Sequence, residues 1–308
     1  MTIMADPRMV ISVIIPHLNQ PAYLRDCLAS LAAGTRPPDE IFVIDNGSHQ
    51  MPTAICAAFP GVTLLSEPTP GPGPARNKGV AAARGQILAF IDADCLADPG
   101  WLAAAQLAMT DPTAQILGGD VRIALTEPGQ MTALEAYESI YAYRMDRYIA
   151  REGYTGTGNL VVRRPVLDAV GPFAGLDVAE DIDWGKRATG MGFGLRYIAG
   201  MKVYHPARET FAELAAKWNR HAAHDYVMAG SRPAGLLRFA LRTLAMSLSP
   251  LAEVPRILMS DRITGFGNRL AAFQCLTRIR LYRARIMVKM LTGTDPAQFS
   301  GAWNRPKG

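Results

Sequence analysis

The first 120 or so residues alternate short apolar runs with segments of helical spacing, and this alternation most constrains the fold. The apolar runs are typical of buried β-strands, and they occur at VISVIIP, EIFVID, GVTLLSE, GQILAFID and AQILGGDV. Between the first two, the segment AYLRDCLASLAAG places Leu24, Cys27, Leu28 and Leu31 on one helical face. Repeated strand and helix units of this kind predict an α/β fold with a mostly parallel sheet flanked by helices.

Polar residues follow three of these runs, at the sheet edge where such folds bind ligands. The sequences are PHLN after the first run, DNGS after the second and DADC after the fourth. In the last one Asp92 and Asp94 are separated by one alanine, and burying an unpaired carboxylate there would be costly. Two carboxylates at a strand end suit a Mg²⁺ or Mn²⁺ ion that bridges diphosphate oxygens. A surface turn such as Asp181-Ile182-Asp183 has the same spacing, so the pattern alone is weak.

The composition favours a globular protein in a reducing compartment. The chain has 308 residues, 49% of them hydrophobic, which is enough for one large domain or for a domain with a smaller appendage. The four cysteines contain no C-x-x-C pair, so neither a zinc site nor a disulfide framework is indicated and we expect a cytoplasmic protein. No window reaches about 18 uncharged apolar residues, so we expect no transmembrane segment.

Charge divides the chain near Gly230. Residues 1–230 contain 19 basic and 24 acidic residues, a net charge of −5, whereas residues 231–308 contain 13 and 3, a net charge of +10. The basic segments LLRFALRTLAMSL and LTRIRLYRARIMVKML place arginines among leucines, which is typical of helices that lie on an anionic membrane surface. A dimer-forming helical pair is the alternative. Nucleic acid is not favoured, because the tail has few aromatic residues and no recognisable binding module.

The loop GPGPARNKG, residues 71–79, is similar to a dinucleotide-binding fingerprint but does not match it. That fingerprint needs G-x-G-x-x-G after the first strand, whereas this loop follows the third and has Arg76 at the last position. A Rossmann dehydrogenase is therefore not favoured. Free backbone amides with Arg76 and Lys78 suit an anionic ligand, and a turn before a solvated helix start is the alternative.

Six motifs together resemble the bacterial glycosyltransferases of family 2, which have the GT-A fold and transfer sugars from nucleotide diphosphates. They are VIIPHLNQ, VIDNGS, GPGPARNKGVAAARGQILAFIDADC, GTGNLVVRR, AEDIDWGKRATGMG and VYH. The resemblance covers about residues 10–225 and implies a Rossmann-like GT-A domain, which we place over residues 1–230. Residues 231–308 lie outside the resemblance, and their charge and leucine pattern predict a basic amphipathic helical region. The chain lacks the Q-x-x-R-W pattern of processive synthases, so transfer of a single sugar is expected.

The resemblance implies roles for individual residues. The donor-binding positions are Pro16, Asn19, Asp45, Arg76, Asn77 and Asp92. The metal ligands for Mn²⁺ or Mg²⁺ are Asp94, Asp92 and His205. The acidic motif AEDIDW supplies the catalytic residues Asp181, as the base, and Glu180, which binds the acceptor. Further acceptor or loop positions are Asp183, Asn159, Trp218 and Arg220, the last two in a loop that closes over the donor.

Alternatives stay open at several of these positions. The acidic residues of AEDIDW also suit capping of the following helix, because carboxylates favour helix N-termini. His205 at a strand end is as compatible with a solvated side chain as with a metal ligand. Trp218 and Arg220 are equally compatible with packing.

Together these expectations describe a metal-dependent, inverting glycosyltransferase of bacterial polysaccharide biosynthesis. It would move one sugar from a nucleotide diphosphate, expected to be UDP, to a glycan acceptor. The basic tail would hold it on the inner face of the cell membrane, where a lipid-linked acceptor is expected. The alternative is a noncatalytic module of the same fold that serves as a partner in a glycan-assembly complex. A nucleotidyltransferase is a third possibility, but it would not need the second acidic motif. The sequence leaves the sugar, the acceptor and the oligomeric state open.

Overall fold

A computed structural model describes residues 9–127, 129–230 and 233–300. Within these ranges the strands are β1 (Ile11–His17), β2 (Glu40–Asp45), β3 (Val62–Ser66), β4 (Ile87–Ile91), β5 (Leu96–Ala97), β6 (Ile116–Ala124), β7 (Asn159–Arg163) and β8 (Leu195–Pro206). The helices are α1 (Pro21–Ala32), α2 (Thr53–Ala57), α3 (Pro72–Ala82), α4 (Trp101–Met109), α5 (Ala133–Tyr141), α6 (Met145–Glu152), α7 (Arg164–Val170), α8 (Glu180–Gly190), α9 (Phe211–Ala229), α10 (Pro233–Ala252), α11 (Val254–Leu258), α12 (Phe266–Leu291) and α13 (Ala297–Ser300).

The strands form one mixed sheet in the order β3-β2-β1-β4-β7-β6-β8-β5. β1 runs parallel to β2 and β4, and β2 runs parallel to β3. β7 is antiparallel to β4 and to β6, and β5 is antiparallel to β8. The α/β fold with flanking helices is confirmed. Its parallel part is confined to β1–β4, the region in which the sequence alternates between strands and helices.

The central strands are apolar because both faces of the sheet are covered. Ile11, Val13 and Ile15 of β1 pack with Leu24 and other residues of α1 in one core cluster. Ile14 of the same strand belongs to a second cluster, on the other face. Successive side chains of a strand point to opposite faces, so one strand contributes to two cores. This burial explains the continuous apolar runs that the sequence shows.

The chain groups into two compact units, and their boundary differs from the division expected at residue 230. The sheet unit runs to Arg122 and resumes from Tyr143 to Pro206, whereas the helical unit takes in Ile123–Ala142 and the described residues from Ala207 onward. Helices α5 and α9 therefore belong with the tail helices. The physical reason is packing, because α12 buries apolar residues against both of them.

In the helical unit α12 is the central helix rather than a helix lying free on the surface. Its buried residues pack against α5 in one cluster, and further along against α9 and α10 in another. These residues include Ala272, Cys275, Leu276, Ile279, Met287 and Met290. The segment LTRIRLYRARIMVKML, expected to lie on a membrane, therefore forms much of the core of this unit.

Helix α10 is amphipathic, as expected. It buries Phe239, Met246 and Pro250 on one face. The opposite face carries a row of leucines that are 57–72% exposed: Leu237, Leu241, Leu244, Leu248 and Leu251. Their spacing of four and three residues keeps all five on one side of the helix. We call this row the leucine face. Across 9–127, 129–230 and 233–300, no helix combines the length and apolar character that crossing a bilayer requires.

Candidate active site

The ends of β1 and β2 are joined by a buried pair, His17 and Asp45. The two residues are in register, and His17 Nδ1 lies 3.0 Å from Asp45 Oδ1. The backbone N–H of Ser48 donates to the other carboxylate oxygen at 3.1 Å. Burial raises the pKa of Asp45, but the hydrogen bonds from Ser48 and His17 outweigh it and hold the pKa below its usual value. Asp45, expected to touch the nucleotide, is thus engaged within the protein.

His17 was not selected from the sequence, although it lies within the strand-end motif PHLN. The signal that could have found it is its position at the end of β1, directly opposite the strand-end Asp45. Its neighbour Asn19 has a left-handed backbone, with φ 54°. The Asn19 amide donates to Ser48 Oγ, and its side-chain oxygen accepts from the His49 amide, both at 2.9 Å. Asn19 therefore ties together the loops after β1 and β2, and Pro16 lies within β1 opposite Ile44.

Arg76 is the positive group that the carboxylates after β4 require. Its side chain is 2% exposed, on α3. Nη2 donates to Asp92 Oδ1 at 2.6 Å, and Nη1 donates to Glu180 Oε1 at 2.8 Å. One buried guanidinium therefore joins the end of β4 to the start of α8. Opposite Asp92 stands Gly158, where an added Cβ would lie 2.5 Å from Asp92 Oδ2.

Asp94 and His205 come together as the sequence predicts for a metal site. His205 Nε2 lies 3.6 Å from Asp94 Oδ2, and with Cys95 Sγ these ligand atoms lie within 4.8 Å of one another. Burial and the neighbouring carboxylates raise the pKa of Cys95, so its thiol stays protonated and is a poor metal ligand. Asp92, also expected as a ligand, lies outside this group and is paired with Arg76.

The orientation of the His205 ring suits metal binding. Its Nδ1 lies 2.7 Å from the carbonyl oxygen of Pro206, which can only accept, so Nδ1 is the donor in this contact and Nε2 is the ring nitrogen that faces Asp94. The Tyr143 ring packs on the imidazole at 4.6 Å, from a backbone with φ 50° in the break between α5 and α6. Burial raises the pKa of Asp94 and the charge of Asp92 adds to this effect, so a cation there would stabilise the ionised carboxylate.

The acidic motif lies in the first turn of α8, because the helix begins at Glu180 rather than after Trp184. Glu180 is paired with Arg76, and Asp183 accepts from Arg187 Nε at 2.9 Å. Asp181 makes no ion pair with any residue that the structure describes, and its Oδ1 accepts from the Ile182 amide at 2.8 Å. Burial raises its pKa and the adjacent Glu180 adds to the shift. Of the three carboxylates, Asp181 has the environment of a proton acceptor.

Asn77 and Asn159, which were expected to contact the donor and the acceptor, instead form hydrogen bonds with backbone groups. Asn77 exchanges two hydrogen bonds with the backbone of Phe173, at 2.8 and 2.9 Å. Nearby, an added Cβ on Gly73 would lie 1.9 Å from the Ala174 carbonyl oxygen, so α3 packs directly on the segment that leads to α8. Asn159 is 0% exposed.

The Asn159 side chain links three strands. It accepts from Trp101 Nε1 at 2.8 Å and donates to the carbonyls of Asp120 and Met201, each at 2.9 Å. These bonds join β7 to β6 and β8 and use both donors of the amide. The structure therefore gives Asn159 a packing role in place of the expected acceptor contact.

Trp218 and Arg220 lie in helix α9 of the helical unit, and not in the loop that the sequence suggested. Thr210 caps this helix by accepting from the Glu213 amide at 3.3 Å, and the helix continues without a break to Ala229. The regular helical spacing of apolar residues facing α12 explains the difference.

A mixed α/β sheet with carboxylates at the ends of its parallel strands, a histidine beside one of them and an acidic helix start defines a GT-A type of site. Residues 12–179, more than half of the chain, match the model of Glycosyl transferase family 2. The chain belongs to this family and is a glycosyltransferase. The family and fold predicted from the six motifs are confirmed.

Similar proteins agree with this assignment. Glycosyltransferase AglE of Haloferax volcanii is 34% identical over 215 residues, which cover 67% of this chain and 70% of that protein. Among solved structures, the mannosyltransferase PcManGT from Pyrobaculum calidifontis, in complex with GDP-Man and Mn²⁺, is similar with a TM-score of 0.57 and 17% identity, over 92% of this chain and 87% of that one. Glucosyl-3-phosphoglycerate synthase from Mycobacterium tuberculosis, in complex with Mn²⁺, UDP and glucosyl-3-phosphoglycerate, is similar with a TM-score of 0.50 and 23% identity. This match covers 70% of this chain and 78% of that one.

We expect Arg76→Ala to lower the free energy of unfolding by about 3 kcal/mol, because it leaves two carboxylates without their buried partner. Arg84→Ala is the matched control. Arg84 also makes an ion pair, with Glu40 at 2.9 Å, but its side chain is 88% exposed, so the loss should stay below about 1 kcal/mol. Urea unfolding followed by circular dichroism measures both. Equal losses in the two variants would contradict the bridging role of Arg76.

Proposed function

We propose that the chain is a metal-dependent, inverting glycosyltransferase that moves one sugar from UDP to a glycan acceptor. The observation that carries the proposal is the Arg76 bridge, which brings the carboxylates after β4 to the acidic start of α8. A donor-side group, Asp94 with His205, and a candidate base, Asp181, then belong to one site. A direct displacement needs both, one for the leaving diphosphate and one for the acceptor hydroxyl.

On the donor side, Asp94 and His205 would hold Mn²⁺ or Mg²⁺. The cation, when bound, would neutralise the charge that develops on the departing diphosphate. An ionised carboxylate and a neutral imidazole Nε2 are ligands that suit Mn²⁺. The similar structures of PcManGT and of the glucosyl-3-phosphoglycerate synthase both contain Mn²⁺, which supports this choice.

On the acceptor side, Asp181 would take the proton of the attacking hydroxyl. Burial raises its pKa and the adjacent Glu180 adds to the shift, which makes its ionised form a stronger base than an ordinary aspartate. Glu180 is held in place by Arg76 through one oxygen, which leaves the other for an acceptor hydroxyl. Asp183 would support the turn through Arg187, which is itself anchored on the carbonyls of Val170 and Pro172.

Pro16 and Asn19 would line the pocket of the nucleotide, next to the buried His17–Asp45 pair. The two similar structures hold different nucleotides, GDP-Man in one and UDP in the other. We propose UDP as the donor nucleotide because the sequence motifs resemble those of family 2 enzymes.

Asp181→Asn should lower the turnover number by about 10²–10⁴-fold, because the reaction then lacks its general base. Binding of UDP should stay unchanged, since the substitution is isosteric and lies on the acceptor side. Asp183→Asn is the control and should lose far less activity. Turnover is measured by release of UDP from a panel of UDP-sugars, with polyprenyl-linked glycans as acceptors. A wild-type chain that binds UDP but transfers no sugar would favour the noncatalytic scaffold instead.

Titration calorimetry with UDP, with and without Mn²⁺, tests the donor site. We expect Mn²⁺ to strengthen UDP binding in the wild type, and Asp94→Asn or His205→Ala to remove this gain. Cys95→Ala is the matched control, because a protonated thiol contributes no metal bond, and it should keep the gain. Binding of GDP in place of UDP would correct the nucleotide, and a gain retained without Asp94 and His205 would refute the metal site.

We further propose that the helical unit attaches the enzyme to the anionic inner face of the cell membrane, where the acceptor would be lipid-linked and belong to polysaccharide biosynthesis. Three features support this. The leucine face of α10 is exposed. Residues 231–308 carry a net charge of +10. An apolar cavity of about 170 Å³ lies between α11 and α12, lined by residues that include Leu258, Phe266 and Leu270. Exposed apolar surface combined with positive charge suits a membrane interface.

Leu241→Glu with Leu244→Glu should weaken sedimentation with vesicles that contain phosphatidylglycerol by about tenfold or more, since two leucines then no longer enter the lipid. Leu107→Glu is the control, because Leu107 belongs to the sheet unit and, at 74%, is more exposed than either substituted leucine. Light scattering after gel filtration reports the oligomeric state of each variant. If the double variant turns a dimer into a monomer without affecting vesicle binding, the leucine face contacts a second copy and the membrane proposal is wrong.

A further inference from the structure

Two cations of the helical unit, Lys217 of α9 and Arg283 of α12, lie against the ring of Trp218. Lys217 Nζ is 5.6 Å from the ring centroid, and Arg283 Cζ is 3.7 Å from it. Arg283 is 7% exposed, and its Nε makes no hydrogen bond. With the residues that the structure describes, neither Lys217 nor Arg283 forms an ion pair.

The nearest carboxylates are already neutralised by other arginines. Glu138, which is buried, accepts from both the guanidinium and the backbone amide of Arg208, the latter at 2.9 Å. Asp225 pairs with Arg242 at 3.0 Å. Among the residues that the structure describes, both carboxylates are thus paired with other arginines and neither forms an ion pair with Lys217 or Arg283.

This arrangement differs from that of two other buried arginines that the structure describes. Arg76, which is 2% exposed, has two carboxylates, and Arg36, which is 9% exposed, has Asp39. Burying an uncompensated cation is unfavourable, and the contact with an aromatic ring offsets only part of the lost hydration. A bound anion would supply the negative charge with which these two cations could pair.

The protonation behaviour of the group agrees with this geometry. Burial lowers the pKa of Lys217 to about 8, and the charges of Arg208, Arg220 and Arg283 contribute. Burial likewise lowers the pKa of Arg283, with Arg280 adding to the effect. The pKa of His221, whose ring lies 5.3 Å from Trp218, is lowered by burial and then by Lys217 and Arg283. Each of these positive charges therefore makes the protonated form of its neighbours less favourable.

We propose that Lys217 and Arg283 form a binding site for a phosphate or diphosphate group. The guanidinium fork matches two phosphate oxygens, and the ammonium group adds a point charge beside it. A doubly charged anion balances both cations at once, which a single carboxylate does not. The proposal is based on contacts within the helical unit and does not depend on the proposed transferase activity.

The first test is titration calorimetry with inorganic pyrophosphate in buffer freed of divalent ions by a chelating resin. We expect Lys217→Gln and Arg283→Gln each to weaken binding by about tenfold or more, the effect of losing one charge-assisted contact. Arg285→Gln is the matched control, because Arg285 is on the same helix but exposed, and it should bind as the wild type does. Unchanged binding in the first two variants, or equal weakening in all three, would overturn the proposal.

A second measurement keeps the test independent of folding. Without anion, Lys217→Gln should unfold at the same or a higher temperature than the wild type, because it relieves repulsion between buried cations. Pyrophosphate should raise the unfolding temperature of the wild type and of Arg283→Lys, and have little effect on Lys217→Gln. A purely structural role predicts the reverse, a lower unfolding temperature in Lys217→Gln with an unchanged response to pyrophosphate.

Vesicles then distinguish the two sources of the phosphate. Phosphatidylcholine vesicles with and without phosphatidic acid are compared using Arg283→Gln and Arg285→Gln. A loss specific to Arg283→Gln on phosphatidic acid assigns a lipid phosphate, and a loss confined to pyrophosphate assigns a soluble phosphorylated ligand. Either outcome supports the site. Asp181→Asn should bind pyrophosphate normally, so failure of the transferase proposal would leave this result unaffected.

Discussion

The buried guanidinium of Arg76 is the interaction on which the site depends. A charge removed from water must be neutralised where it lies, and Arg76 achieves this only by bringing Asp92 and Glu180 to itself. The next residue, Asn77, clamps the backbone of Phe173, just before the acidic motif. Two consecutive residues of α3 thus hold the start of α8 and the segment before it beside the end of β4, so the groups proposed to act on the donor and on the acceptor share one support.

The surroundings of the aspartates in this site shift their pKa values in different directions. Hydrogen bonds hold the pKa of Asp45 low, so it remains an anion that orients His17. Burial raises the pKa of Asp94 and of Asp181, and each lacks an arginine partner within the described ranges. A cation would therefore stabilise the ionised form of Asp94, and Asp181 has the raised pKa that the proposed general base needs.

Local patterns were predicted from the residue spacing, whereas long-range contacts were predicted only where the family motifs supplied them. The strand and helix units of the first 120 residues follow from residue periodicity, and the pairing of Asp94 with His205 followed from the family motifs. Arg76 and Glu180 are 104 positions apart, and no spacing rule joins them. The grouping of α5 with α12 was missed for the same reason. An asparagine that satisfies buried backbone, such as Asn159, looks in sequence like one that binds a ligand.

The close approach of backbone at Gly73 and Gly158 limits how this enzyme can evolve. A Cβ at Gly73 would lie 1.9 Å from the Ala174 carbonyl oxygen, and one at Gly158 would lie 2.5 Å from Asp92 Oδ2, so a substitution at either glycine would displace groups next to the proposed site. The loops after β1 and β2 meet through the side chains of Asn19 and Ser48 rather than through backbone packed on backbone. Descendants that acquire a new donor preference should therefore differ in these loops, while the glycines stay fixed.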